Sequence, residues 1–477
     1  MIELKHFING EYTKKEENFR NIYNPSKQED IGTTPIASEE EILDTIKCAN
    51  EALKQWSNTP SEKRAEYLYK IAQGLEKRKD DIAKNITLCM GKPLKEALLD
   101  VEDAIACYSY YAESSKDIDA ENQKIVSLED TDYNISKRYE PVGVVGLIVP
   151  WNFPTVTTAW KVAPALAAGC TVILKPSGVS PIPEHILAEI SKEIDLPNGV
   201  LNILYGGANL AQELTKSEDI AKISFTGSTR VGQELTCISA PSLKNLSLEL
   251  GGKSALIACE DANIDEVATL ACNGIFFNNG QMCSATSRVL IHKNIYTKVL
   301  EKLKQKVEEL KIGDPLSMET DIGPLSSKKQ FNTVCNYFEI AKEEKLTCLT
   351  GGKKLDGNYV SPTIYYDVFK TSRLWQEEIF GPILCVNPFD TIEEAIIMAN
   401  DTEYGLAASV ISKDQNQAIS IANSLKAGII WINTDQIVLP QLSWGGYKKS
   451  SIGRELGEEG LNSFRELKHI IMPKEKY

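Results

Sequence analysis

The stretch Asn278-Asn279-Gly280-Gln281-Met282-Cys283-Ser284 sets one thiol among amides and small residues, directly after the apolar run Gly274-Ile275-Phe276-Phe277. Cysteine commonly packs as a small hydrophobe, and Cys283 is one of eleven in the chain. A thiolate at the buried end of a helix is also a nucleophile when other groups support it. Glu249 is followed by Leu250-Gly251-Gly252-Lys253, whose glycines let backbone approach closely. Its carboxylate could act as general base for a water, or serve as an ion-pair partner or cap at a strand end. Asn152, in the turn Pro150-Trp151-Asn152-Phe153-Pro154, could offer an amide donor to a developing oxyanion, or serve the turn alone. Thr226-Gly227-Ser228-Thr229 leads into a helical pattern, where free backbone N–H groups and the Ser228 hydroxyl could hold a phosphate. An ordinary N-cap would look the same. Lys175, locked by Pro176 and followed by Ser177, could reach ribose hydroxyls or a second phosphate.

Taken together, a thiol, an amide donor, a carboxylate and a nucleotide site fit one reaction class. A thiolate adds to a carbonyl, the amide steadies the oxyanion, a nicotinamide accepts hydride, and the carboxylate helps water cleave the thioester. No histidine is needed, and none of the four (His6, His185, His292, His469) lies near the thiol in sequence. No GxGxxG occurs, so the usual dinucleotide fingerprint is missing.

The elements that must position these residues alternate. Short Val/Ile/Leu runs at 142–149, 171–175, 200–204, 222–226 and 246–250 read as strands, separated by helical patterns at 157–168, 183–193, 210–215 and 230–239. Strand and helix at this interval predict a parallel doubly wound sheet, with ligands bound outside the carboxyl ends of its strands. Asn152, Lys175 and Ser228 all fall at such ends. After Lys253 a second alternating set runs to about residue 433, so an α/β architecture of two doubly wound domains is expected. Residues 39–56, 61–78 and 96–111 repeat apolar residues at helical spacing and read as a helical layer whose charges serve solvation. Residues 125–139 and 460–471 belong to neither set and are expected to form an arm.

A length of 477 residues calls for two or three domains, and 42% hydrophobic residues is ordinary for a globular protein. The net charge of −14 argues against nucleic acid or an anionic membrane as partner. The opening Met1-Ile2-Glu3-Leu4-Lys5-His6-Phe7 has no basic stretch followed by an apolar one, so no secretory leader is expected. Eleven cysteines without a CxxC pair or metal-ligand spacing predict neither a disulfide framework nor a metal site. A cytoplasmic location fits best.

Pro150-Trp151-Asn152-Phe153-Pro154, Phe225-Thr226-Gly227-Ser228, Glu249-Leu250-Gly251-Gly252-Lys253, Gly280-Gln281-Met282-Cys283, Glu377-Glu378-Ile379-Phe380-Gly381-Pro382 and Gly453-Arg454-Glu455-Leu456-Gly457 together resemble the NAD(P)-dependent aldehyde dehydrogenase superfamily, in the family's order and over almost the whole chain. The resemblance implies an NAD(P)-binding domain over 1–120 and 141–250, a catalytic domain over 251–445, and an oligomerisation arm with a C-terminal segment over 121–140 and 446–477. It implies Cys283 as nucleophile, Glu249 as general base, Asn152 as oxyanion donor, and Lys161 with Glu455 as a proton path for Glu249. Trp151, Lys175, Ser177, Gly178, Ser228, Leu250, Glu378 and Phe380 would contact the cofactor, NAD or NADP. Many NAD-using members carry a glutamate where this chain has Gly178, and its loss removes repulsion against a 2′-phosphate. A small aldehyde is the implied partner, and a homodimer or homotetramer the implied assembly.

Within the superfamily, Cys283-Ser284-Ala285-Thr286-Ser287-Arg288 and Ser443-Trp444-Gly445-Gly446 look most like betaine-aldehyde and aminoaldehyde dehydrogenases. Trp444 and Trp160 would present faces to an ammonium group through cation–π attraction. The subgroup often has tyrosine at Phe153 and tryptophan at Phe277, which weakens the cage here. Ile429 stands where a bulky residue accompanies aminoaldehyde use. The expected substrate is therefore an ω-aminoaldehyde such as 4-aminobutanal, or betaine aldehyde. A non-amino aldehyde or semialdehyde, or a catalytically silent binding relative, is the alternative.

Overall fold

The computed structural model describes residues 2–13, 18–122, 125–126 and 132–474. Among these, the strands form four sheets. The first large sheet has Val144–Ile148 near its middle, flanked by Thr171–Lys175 and Leu201–Ile203 on one side and by Lys222–Thr226 and Asn245–Glu249 on the other, all parallel. The chain thus changes direction of travel between Val144–Ile148 and Lys222–Thr226, the point where an open α/β sheet leaves a crevice at its strand ends. The first three of these strands and Lys222–Phe225 are fully buried, as a sheet covered on both faces requires. Short antiparallel strands close the edges: Phe7–Ile8 with Glu11–Tyr12, and Ser451–Ile452.

The second large sheet runs Thr347–Thr350, Thr363–Tyr366, Ile383–Phe389, Arg288–His292, Ala255–Ala258, Ala407–Ile411, Ile429–Ile432, parallel except for its first pair. The helix Ile264–Phe276 follows its first strand in the chain and delivers the cysteine stretch. Arg465–Pro473 pairs antiparallel with Tyr133–Pro141, which also pairs with Ile125–Val126. This ribbon takes up the segments expected to form an arm, of which 123–124 and 127–131 lie outside the described residues.

Ahead of the helical layer, Phe19–Asn24 pairs antiparallel with Glu29–Pro35, which takes Ile2–Glu3 as a parallel neighbour. In the C-terminal segment, Ser451–Ile452 extends the first large sheet beside Asn245–Glu249. One expectation needs correction. The helix after the Asn152 turn starts at Pro154, not 157, since a proline at its first turn lacks only an N–H that would be unsatisfied there.

Candidate active site

Helix Ile264–Phe276 ends abruptly, and Asn278, Asn279 and Gly280 follow in left-handed conformation at φ 49, 55 and 68°. Asparagine tolerates this region better than most residues, yet each such position costs about 1–3 kcal/mol unless its surroundings hold it. They do. The Asn278 N–H donates to Glu96 Oε2 at 2.7 Å, and the Asn279 amide donates to Gly323 O at 2.7 Å and Pro324 O at 3.1 Å. Gln281 Oε1 accepts from Ser326 N at 3.0 Å. A Cβ on Gly280 would stand 2.3 Å from Gly381 O, and one on Gly252 2.2 Å from Cys283 O. The two glycine motifs therefore let the nucleotide-side and cysteine-side loops touch.

The thiol is half-buried on the wall of a cavity of about 1420 Å³, which also has Asn152, Glu249 and Glu378 on its wall. Burial pushes Cys283 up to about 12, with the Glu378 and Glu249 carboxylates adding to it and the Ser284 and Cys283 backbone N–H groups opposing. The resting group is accordingly a thiol, and it needs a nearby positive charge to ionise. Iodoacetamide alkylation of Cys283 in the unliganded protein should still be accelerating at pH 10; a plateau by pH 9 would contradict this environment.

Asn152 is buried, and its amide donates one proton to Gln281 O at 2.9 Å, leaving its second N–H for substrate. Asn278 donates to Asn152 O at 3.1 Å and to Gln281 O at 3.2 Å, so the donor and the cysteine loop are fixed to each other. Glu249 ends its strand with Oε2 accepting from Ser451 Oγ at 2.9 Å, while Oε1 lacks a partner among the described residues. Burial and the neighbouring Glu455 carboxylate hold Glu249 well above the usual carboxylate range, against Ser451, Lys161 and Arg454. Behind it Lys161 donates to Glu455 Oε1, which also accepts from Ser224 Oγ at 2.9 Å. Lys161 and Glu455 are buried off the cavity wall, beside the carboxylate they were expected to serve.

The cofactor residues share one limb of the cavity. Gly227, Ser228 and Val231 bring the N-terminus of helix Thr229–Ser239 to its wall, and Ser228 Oγ accepts from Val231 N at 3.5 Å, leaving its O–H to donate outward. The buried Thr226 hydroxyl beside them has no partner among the described residues. Glu378 Oε1 accepts from Gly252 N at 3.0 Å, and burial raises its carboxyl to about 7. Trp151 meets Phe380 edge-on at 5.5 Å. Lys175, Ser177, Gly178 and Leu250 also line this limb. Open donors at a helix start, an unfilled hydroxyl and a carboxylate suited to ribose fit a nicotinamide dinucleotide.

Beyond the thiol, Trp160 and Trp444 stand 5.4 Å apart at 50°, with Trp431 6.3 Å behind Trp444. Phe153 and Phe277 stack at 6.2 Å. Ile429, expected in this pocket, is not on the cavity wall; it packs against the core at the start of its strand. One face of Phe153 is already taken, by the buried Lys92 ammonium 3.6 Å from its centre. The helix Leu94–Ser114 was read as a solvated surface, yet Glu96, Asp100 and Asp103 line the cavity. Their spacing of four and then three places them on one helical face, a signal visible in the sequence. Asp100 is engaged by Lys92 Nζ at 2.9 Å and Val156 N at 2.8 Å, whereas burial and Asp100 raise Asp103 to about 6. Asp435, which accepts from Asn273 at 3.0 Å, and Gln436, which accepts from Ser284 Oγ at 3.2 Å, also line the cavity. Neither was singled out from the sequence.

The sequence profile described as the aldehyde dehydrogenase family matches residues 12–470. Peroxisomal aminoaldehyde dehydrogenase 1 of Pisum sativum is 42% identical over 476 residues, covering 97% of this chain and 94% of that protein. Chloroplastic betaine aldehyde dehydrogenase of Amaranthus hypochondriacus is 40% identical over 475 residues, covering 97% and 95%. The crystal structure of betaine aldehyde dehydrogenase from Staphylococcus aureus in complex with NAD+ superposes with a TM-score of 0.95 at 34% identity, covering 99% of this chain and 95% of that one.

Proposed function

Because the chain belongs to the aldehyde dehydrogenase family, we propose that it oxidises a small ω-aminoaldehyde, or betaine aldehyde, to its carboxylic acid with reduction of NAD(P)+. The observation that carries the substrate reading is one cavity whose wall combines Cys283, the Trp160–Trp444 pair and the exposed Asp103 carboxylate. Carboxylates and aromatic faces both favour a cation. The relatives named for aminoaldehyde and betaine aldehyde support the same class.

The Cys283 thiol gives its proton to water in the cavity as the sulfur adds to the aldehyde carbon, and the carbonyl oxygen becomes an oxyanion that the free Asn152 N–H and the Cys283 backbone N–H receive. NAD(P)+ supplies the hydride acceptor when bound. Loss of hydride from the carbon leaves a thioester on Cys283. Glu249 takes a proton from water as its oxygen attacks the acyl carbon, the C–S bond breaks, and acid and thiolate separate. We assign the Lys161–Glu455 pair, whose charges act on Glu249, the relay of its proton.

Asp103 is an exposed carboxylate on the cavity wall. Asp103→Asn should raise KM for 4-aminobutanal about threefold to fivefold, ~1 kcal/mol for an exposed ion pair, and leave KM for butanal unmoved. Steady-state kinetics on both aldehydes check this, and equal changes in the two would remove the charge reading. The arm ribbon exposes Leu467, Ile471 and Met472, which supports a homodimer or homotetramer built through it. Eleven cysteines, all free, support a reducing compartment such as the cytoplasm.

A further inference from the structure

The limb of the cavity opposite the aldehyde end contains a cation that the family motifs do not account for. Arg20 lies on Phe19–Asn24, two residues before Ile22, which is fully buried. Alternate residues of a strand share a face, so Arg20, although exposed, leaves the strand on the same side as Ile22. Its guanidinium lies across two loops at the ends of the first large sheet's strands. A Cβ on Gly178 would stand 2.5 Å from Arg20 Nη1, and one on Gly207 3.4 Å from Arg20 Nη2. Only glycine at 178 leaves the guanidinium where it is. No ion pair or side-chain hydrogen bond engages Arg20 among the described residues, although it lines the cavity together with Lys175, Ser177 and Gly178.

Lys175 is the second cation there. Its ammonium is buried and, among the described residues, hydrogen-bonds to Pro176 O alone, at 3.4 Å. Burial, and then the charge of Arg20, bring it down to about 8. Two cations facing one space, with no carboxylate paired to either among the described residues, are repulsive until an anion joins them, and Ser177 adds a hydroxyl whose proton is free because Oγ accepts from Val179 N at 3.3 Å.

We propose that Arg20, lying over Gly178 and beside Lys175, binds the 2′-phosphate of NADP+ on the adenosine ribose and so sets the cofactor preference of this enzyme. The inference rests on the aldehyde dehydrogenase reading, in which this limb holds the adenosine half. A 2′-phosphate is dianionic and fits a forked guanidinium, whereas the bare ribose diol of NAD+ leaves the two cations uncompensated. A glutamate at 178 would reverse this by pairing with Arg20 and repelling the phosphate.

Calorimetric titration of the full chain with adenosine 2′,5′-bisphosphate and with AMP tests the proposal without turnover. The wild-type protein should bind the bisphosphate about tenfold or more tightly than AMP, the strength expected of a charged hydrogen-bonded contact. In Arg20→Ala and in Gly178→Glu that ratio should fall close to one. Equal wild-type affinities would overturn the proposal, as would an unchanged ratio in Arg20→Ala. A parallel loss for both ligands in Arg20→Ala would also overturn it, because the side chain would then serve the adenine. If neither ligand binds wild-type protein, the cofactor-cleft reading itself fails, a result distinct from the failure of Arg20.

Discussion

Cys283→Ala should lower NAD(P)H formation from any aldehyde by at least about 10⁴-fold, because the covalent step has no second nucleophile to fall back on. The surroundings make the prediction specific. Cys283 shares the cavity wall with Asn152 and Glu249, and of the other ten thiols Cys272 alone also lines that wall. Cys272 sits inside helix Ile264–Phe276, and burial raises it to about 11. It has no Asn152 beside it to receive an oxyanion in the arrangement observed. The loss should be chemical, not structural: removing one sulfur from a half-buried site costs ~1 kcal/mol, so thermal unfolding of the variant should stay close to wild type. Retention of more than a hundredth of the rate would show that another group attacks the aldehyde.

Glu249→Gln should slow steady-state turnover about 10²–10⁴-fold, the usual contribution of a positioned general base, while leaving hydride transfer nearly intact. Rapid mixing should then show a burst approaching one NAD(P)H per active site before a slow phase. An amide of the same shape can still meet Ser451 but cannot take a proton from water. Since burial and Glu455 hold the Glu249 carboxyl above the usual range, the protonated form predominates at low pH and the base form grows as pH rises. The wild-type deacylation rate should therefore climb with pH beyond the range of an ordinary carboxylate, and Glu249→Gln should flatten that climb. A steady-state rate within twofold of wild type would take the base role away from Glu249.

Much of this arrangement was legible before any coordinates. The strands Thr171–Lys175, Lys222–Thr226, Arg288–His292 and Ile383–Phe389 are readable because buried parallel strands are short unbroken apolar runs between helices. Cys283, Glu249, Asn152 and Ser228 stand out because their motifs sit at strand ends or after a helix, where an open α/β sheet puts its ligands. What was hidden depends on contacts between distant segments. Phe19–Asn24 carries polar and charged residues at most of its positions, so its pairing with Glu29–Pro35 is set by Ile22 reaching the core rather than by periodicity. Helix Lys79–Met90 is parted from the preceding helix by Arg78 alone and blends with it in sequence.

The placement of Ile429 off the cavity wall, and of Lys92 against Phe153, follows from packing between elements distant in sequence. Glu96, Asp100 and Asp103 were the one site feature readable from spacing and passed over. Charges recurring on one face of a helix describe a solvated surface and an acidic wall equally well until the opposite wall is known.

The account turns on an acyl group carried by Cys283 and released by water that Glu249 activates. Its most direct test is the intact-protein and peptide mass of Glu249→Gln quenched in acid during the slow phase with 4-aminobutanal and cofactor. The account predicts one added acyl mass per chain, located on the peptide containing Cys283 and absent from a Cys283→Ala, Glu249→Gln double variant. An unmodified Cys283 peptide in protein that has already produced its burst of NAD(P)H would contradict it.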